Sequence, residues 1–303
     1  MKVGMIGLGG MGKSVAECIL NAGFELTVAD LREGPVRDLV ILGASAASTP
    51  REVASAADIV VASLPSNEAS EEVALGTDGV LAGTKPGDIY IDTSTISPRV
   101  ITSIAERFSQ AGAEAMDAPV SGGRVQRKEG TLTVMAGGEA STVARAMPVL
   151  EAFGGRIIHV GGVGAGAATK LINNLTMASN MVATMEALVL GVKTGLDLEK
   201  LRDVISASSG GSRVFDMMVE NVMTRSSDPP AGSGAMMGMA TIIKDTRLAA
   251  DLAKELSVPL YHGTATEQAW RAGEARGWAD REHWALMEHF EELAGVRVRP
   301  AGL

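Results

Sequence analysis

Between Lys2 and about Val160, short apolar runs of β-type residues alternate with stretches of helical period: KVGMIG, FELTVAD, ADIVVASL, GDIYID, AEAMDAP, TLTVMAG and RIIHV. That rhythm marks βαβ units and a mainly parallel sheet. The runs are close to continuously hydrophobic rather than alternating, as strands covered by helices on both faces must be. After residue 160 the texture changes. GGVGAGAATKLINNLTMASNMVATMEALVLGVKTG opens on glycines and then runs without Pro or Gly from Ala167 to Leu190, which predicts a helix well beyond the usual three turns. It is apolar nearly all round, so it is expected to be buried as a spine between two domains or two subunits. Asp197 is placed to cap a further helix over LEKLRDVISAS, and helical segments are predicted around 213–224, 240–256 and 263–292. VRVRPAGL reads as a short extension. At 303 residues the chain exceeds what one core usually organises. The expected fold is therefore an α/β domain over 1–162 followed by an all-α domain over 163–303, entered by the long helix.

Composition narrows the functional classes. Aromatic residues make up only 3% while hydrophobic residues reach 46%, so the core must be aliphatic and rich in Met. A net charge of −9 offers no basic footprint for a nucleic-acid backbone or an anionic membrane. Cys18 is the single cysteine, which excludes an intrachain disulfide and any thiolate metal cluster and suits a reducing cytoplasm. The stretch MKVGMIGLGGMG is broken by glycines and has no processing site, so it is not read as a signal peptide. By this reading no run approaches the roughly 20 apolar residues that span a bilayer. His159, His262, His283 and His289 show no zinc-ligand spacing, so no metal is expected.

Gly7, Gly9 and Gly12 spell G-x-G-x-x-G between the first apolar run and a helical stretch. In that setting the glycines permit a tight turn, close backbone approach to a pyrophosphate and close helix packing, while the helix N-terminus offers N–H groups and a positive dipole end. The next run ends in Asp30, 18 residues beyond Gly12, near the spacing of a carboxylate that accepts ribose hydroxyls. The pair predicts dinucleotide binding by Gly7, Leu8, Gly9, Gly10, Met11, Gly12 and Asp30. A carboxylate there repels a 2′-phosphate, which favours NAD over NADP. Arg32, two residues on, is either a partner for such a phosphate, a stacking surface for adenine, or a solvated loop arginine.

Two further stretches carry chemistry. In DAPVSGG, Asp117 to Gly123, the hydroxyl of Ser121 and the backbone N–H groups of Gly122 and Gly123 can cradle a carboxylate, or the segment is an ordinary turn. In GVGAGAATKLINN, Lys170 and Asn174 stand four apart on one helix face. A lysine in an apolar helix is costly to keep charged, which suits it to proton transfer near neutral pH; the plainer reading is a lysine that snorkels to solvent. Asn174 either orients the lysine and substrate hydroxyl or satisfies a buried backbone group. Arg124, Arg127 and Lys128 are expected to face solvent after the cradle. Met217, Met218 and Met223 read as core, Trp270, Trp278 and Trp284 as packing for the last helices, and Ser206 to Ser212 as a helix end with an N-cap.

GLGGMG, DTST (Asp92 to Thr95), DAPVSGG, GAGAATKLINN and IIKD (Ile242 to Asp245) stand here in the order and spacing of the β-hydroxyacid dehydrogenases. The chain resembles that family over nearly its whole length. The resemblance implies a Rossmann-type N-terminal domain, an all-helical C-terminal domain, and a homodimer or homotetramer built through the latter. It implies an oxidoreductase that moves a hydride between NAD(P) and a small β-hydroxy acid or the matching semialdehyde, with Lys170 as general acid/base and Asn174 beside it. It further implies Ser121, Gly122 and Gly123 at the substrate carboxylate, Thr95 and Lys244 near the nicotinamide, and Leu64 and Pro65 in the loop beside the cofactor. Where many members carry a bulky aromatic ahead of IIKD, this chain has Ala235, Met236, Met237 and Met239, which either fill the helical core or line a roomier pocket. An imine reductase of the same architecture and a non-catalytic NAD(H)-binding module are the alternatives; the presence of Lys170 argues against both.

Overall fold

The computed structural model describes residues 1–223 and 238–299. It divides into two compact units, Met1–Lys170 and Leu171–Leu303, so the division falls inside the long helix and not at its start.

The first unit holds nine strands: β1 Lys2–Ile6, β2 Glu25–Ala29, β3 Ser45–Ala46, β4 Ile59–Ala62, β5 Ile89–Asp92, β6 Glu114–Asp117, β7 Val120–Ser121, β8 Leu132–Gly137 and β9 Gly154–Gly161. They form one sheet in the order β3-β2-β1-β4-β5-β6-β8-β7, with β9 paired to β8. Pairing is parallel except where β8 meets β6 and β7. All seven apolar runs became strands, and β4 and β5 are buried at every position, as continuous hydrophobicity demands. The two-residue strands β3 and β7 carry too little pattern to be foreseen. Chain order reverses between β1 and β4, which opens a crevice at their carboxyl ends. Two apolar clusters cover the faces, one around Val3, Met5, Ile19, Val28 and Phe153, the other around Val60, Tyr90, Ile101, Ile104 and Phe108.

The long helix spans Ala165–Lys193. Two expectations about it need correcting. By length and composition it is able to cross a membrane, and half of its apolar window is buried within the fold. Nor is it buried all round: Ile172 is 61% and Leu190 66% exposed, on a stripe with Thr176, Ala183 and Glu186.

The second unit is helical: Leu198–Ser206, Arg213–Met223, Met239–Glu255, Tyr261–Ala275 and Met287–Ala294, with a 3-10 turn at His283–Leu286. Asp197 caps the first of these by accepting the Lys200 N–H at 3.0 Å, and Ser212 caps the next through Phe215 N at 3.0 Å. The single helix expected over 263–292 is broken at 276–282, where Gly277 has φ +74 and Trp278 lies between the guanidinium groups of Arg276 and Arg281, 4.8 and 4.9 Å from its ring centroid. Met181, Met185, Met218, Met239, Trp270 and Leu286 lie in its core, which makes Met239 a packing residue; Ala235, Met236 and Met237 lie outside the described residues. VRVRPAGL is more than an extension. Val298 is fully buried, donates its N–H to Glu291 Oε1 at 2.8 Å, and follows Arg297, which pairs with Glu291 Oε2 at 2.8 Å.

Candidate active site

The glycine loop joins β1 to the helix Gly10–Asn21. Gly7 turns at φ +85, and a side chain on Gly12 would drive into the Gly7 carbonyl, so the helix starts against the strand it follows. Gly9 is the N-cap and supplies no side-chain acceptor to the first turn, whose N–H groups remain for an anion. Leu8 is buried and Met11 packs on the core beneath. Across the crevice, the loop after β4 brings Leu64 against Gly7, with Pro65 beside it; Leu64 N donates to Ser94 Oγ at 2.8 Å, and Ser94 N donates to Asp92 Oδ1 at 2.8 Å. The DTST loop therefore holds the Leu64–Pro65 loop, with Thr95 half-buried one residue further on. Burial pushes the Asp92 carboxyl upward.

Asp30 directly follows β2, with both oxygens engaged. Oδ2 accepts Leu8 N at 2.6 Å and Arg32 Nη2 at 3.0 Å, while Oδ1 accepts Arg32 N and Nε, each at 2.9 Å. The Arg32 guanidinium holds the Asp30 carboxyl down at about 2. Arg32 thus stays largely exposed to solvent while its guanidinium folds back onto Asp30 and not outward toward a phosphate.

The segment expected to cradle a carboxylate offers fewer open groups than the sequence suggests. Ser121 lies on β7 opposite Thr133, Gly122 has no space for a side chain beside Leu132, and Gly123 N donates to Gln126 Oε1 at 3.0 Å. Of the basic residues that follow, Arg124 and Lys128 are exposed as expected. Arg127 departs from that expectation: it is half-buried, and its Nη1 lies 3.6 Å from where a Cβ on Gly10 would stand, beside the glycine loop.

Lys170 is 7% exposed, in the second turn of the long helix, and Asn174 follows one turn on at 3%. A snorkelling lysine is therefore not what forms. Asn174 does not serve the backbone; its Nδ2 donates to Asp245 Oδ2 at 2.6 Å, and its Oδ1 accepts Asn173 Nδ2 at 3.1 Å. Asp245, itself buried, pairs through Oδ1 with Lys244 Nζ at 3.0 Å. Lys244 is thus a half-buried member of a polar chain and not a surface charge. Asp245 is a candidate site residue that its spacing alone does not single out; the available signal is an acid next to a lysine among the apolar residues of IIKD. Among the described residues no three His, Cys, Asp or Glu side chains converge as a metal site.

Residues 2–161 match the family described as the NAD binding domain of 6-phosphogluconate dehydrogenase, and residues 164–290 match the NAD-binding family of NADP-dependent 3-hydroxyisobutyrate dehydrogenase. The chain belongs to the β-hydroxyacid dehydrogenase family. It is 38% identical to the 2-(hydroxymethyl)glutarate dehydrogenase of Eubacterium barkeri, over 98% of this chain and 97% of that one. It is 34% identical to the 2-hydroxy-3-oxopropionate reductase of Escherichia coli, over 98% and 100%. The 3-hydroxyisobutyrate dehydrogenase of Mycobacterium tuberculosis, solved with L-serine, superposes with a TM-score of 0.84 at 29% identity, covering 95% of this chain and 98% of that one. This β-hydroxyacid dehydrogenase is accordingly an enzyme that transfers a hydride between NAD(P) and a small β-hydroxy acid.

Proposed function

We propose that Lys170 is the general acid/base of this dehydrogenase and that it acts on a short acid bearing a hydroxyl on the β carbon. The observation that carries the reading is the placement of Lys170: a single amine, almost wholly buried, one turn ahead of a buried amide whose orientation is fixed by Asp245. Deprotonated, Lys170 Nζ takes the hydroxyl proton as the carbon loses its hydride; protonated, it returns that proton to the oxygen in the reverse direction. Asn174, unable to rotate without abandoning Asp245, offers a fixed hydrogen-bonding edge to the same oxygen, and Lys244 belongs to the same polar chain. A bound nicotinamide ring supplies the hydride acceptor or donor at its C4 carbon. The Ser121 hydroxyl and the Gly122 N–H receive the carboxylate, joined by the Gly123 N–H when Gln126 turns aside.

The glycine loop fits the dinucleotide: first-turn N–H groups without a side-chain cap, a helix seated too close for any residue but Gly12, and the Arg127 guanidinium alongside as a counter-charge to the pyrophosphate. Thr95, Leu64 and Pro65 form its nicotinamide side. An ionised Asp30 favours NAD, and Arg32, by neutralising it, keeps that preference modest. Relatives whose names specify 2-(hydroxymethyl)glutarate, 3-hydroxyisobutyrate, L-serine and 2-hydroxy-3-oxopropionate define the substrate range to search. The exposed stripe on the long helix, with Ile172 and Leu190, supports a homo-oligomer, and the lone reduced Cys18 supports a cytoplasmic setting.

The test is turnover of these acids, and of their methyl esters, with both cofactors, followed by nicotinamide absorbance. The acids are expected to react with the ester kcat/KM lower by 10-fold or so or more, because a cradle built for a charge is left with unmet donors. An ester that reacts as well as its acid overturns the cradle.

A further inference from the structure

We propose that Asp117 is a positioning residue for proton transfer: its buried carboxylate grips the start of the long helix and so fixes where Lys170 stands. The inference rests on Lys170 being the acid/base group.

Asp117 ends β6 and is 1% exposed. Its Oδ1 accepts Gly164 N at 2.7 Å and its Oδ2 accepts Ala167 N at 2.6 Å. The first N–H groups of a helix have no partners within it and form the positive end of its dipole. Here a strand residue almost fifty positions earlier supplies the acceptor, since neither Gly164 nor Ala165 has a side chain that can.

The neighbourhood is shaped to admit that carboxylate. A Cβ on Gly166 would stand 2.7 Å from Asp117 Oδ2, and one on Gly137, across the β6–β8 pairing, 2.6 Å from Oδ1. Glycine at both positions lets strand, helix start and carboxylate meet. Burial pushes the Asp117 carboxyl up to about 6, the two N–H donors pull it the other way, and buried Asp92 facing it adds to the rise. Each of its oxygens accepts a backbone N–H, the arrangement that favours the charged carboxylate.

Lys170 lies three residues beyond Ala167, roughly 4.5 Å along a rigid helix. A shift or tilt at the grip is therefore carried to the amine with little damping. Misplacement of a reacting group by about 1 Å can cost on the order of 10²-fold in rate. Asp117 itself need not touch substrate or cofactor; it acts through the backbone of the helix.

A double-mutant cycle separates this role from general stabilisation. Asp117→Asn keeps the shape but sets an amide NH₂ against one of the two N–H donors. It is expected to lower kcat by about 10-fold or more, with NADH affinity by fluorescence titration within about twofold of the parent. In the Lys170→Ala background the same change should cost less than about twofold, because the group it positions is gone. Equal losses in both backgrounds, or a single variant within about twofold of the parent, overturn the proposal. Should Asp117→Asn fail to fold, Asp117→Ser, which retains one acceptor, is carried through the same cycle with the same outcomes. If Lys170→Ala alone turns over normally, the lysine reading falls and takes this inference with it; a lysine effect with an additive cycle removes Asp117 only.

Discussion

The glycine loop and the start of the lysine helix are both helix N-termini facing functional ground, yet they are built in opposite ways. At the glycine loop the working groups are main-chain N–H groups of neighbouring residues, and side chains are removed to expose them; Gly9 caps nothing and Gly12 admits nothing. At the lysine helix Asp117 takes the N–H groups of Gly164 and Ala167, Ala165 N donates to Gly162 O, and the groups proposed to work are buried side chains: Lys170 on a helix tied to β6, and Asn174 held by Asp245. On the proposed reading, an N-terminus that receives a ligand is left open, whereas one that carries a reactive side chain is closed by the protein's own anion. Affinity for the cofactor should then be spread over several backbone groups, while the chemistry hangs on single side chains.

The sharpest test of that contrast is Lys170→Ala. Turnover should fall by 10²-fold or more, the scale of general acid–base catalysis, while NADH titration shows affinity unchanged. Parallel losses in rate and affinity would erase the distinction between the two ends.

Next in size is Asp245→Ala, which leaves the buried Asn174 amide without its acceptor. A stability loss of about 1–3 kcal/mol is expected in urea unfolding, together with a lower kcat. An unchanged urea midpoint would mean that the amide finds another partner.

A smaller effect concerns pH. The folded Asp117 carboxyl sits near 6 against 3.8 for an ordinary aspartate, so the native state holds the proton more tightly than the unfolded chain does. Its contribution to stability is complete below about 3.8 and is lost as pH rises through 6. Comparison of Tm at pH 4.5 and 6.5 should show the Asp117→Asn protein gaining a few degrees relative to the parent at the higher pH, by about 2 kcal/mol of linkage. Parallel Tm curves would assign the burial penalty elsewhere.

The smallest expected change is at the cofactor end. Asp30→Asn removes the charge that disfavours a 2′-phosphate and frees Arg32 to meet one. Since Arg32 is 61% exposed, the shift in the NAD to NADP ratio of kcat/KM should be no more than about fivefold. A larger swing would mean that one side chain, not the backbone, governs this end as well.

The amino-acid sequence by itself determined whatever depends on near neighbours. Seven strands followed from unbroken apolar runs, the glycine loop from three glycines within six residues, and the Lys170–Asn174 pair from a four-residue spacing on one helix. Helix caps at Asp197 and Ser212 were legible for the same reason. Tertiary structure alone decided what those groups touch. Asp117 meets its helix from 47 and 50 positions away, Asp245 meets Asn174 from 71, and Val298 is pinned to a helix it follows. Gln126 turning back on Gly123, Arg127 reaching the glycine loop and Arg32 folding onto Asp30 are local in sequence yet were equally hidden, because a flexible side chain has several partners within reach and only the packed surroundings select one. Periodicity records which face of an element is apolar; it carries no record of which buried charge will find which donor, since that pairing is set by the cost of leaving either one unmet after the chain has closed around them.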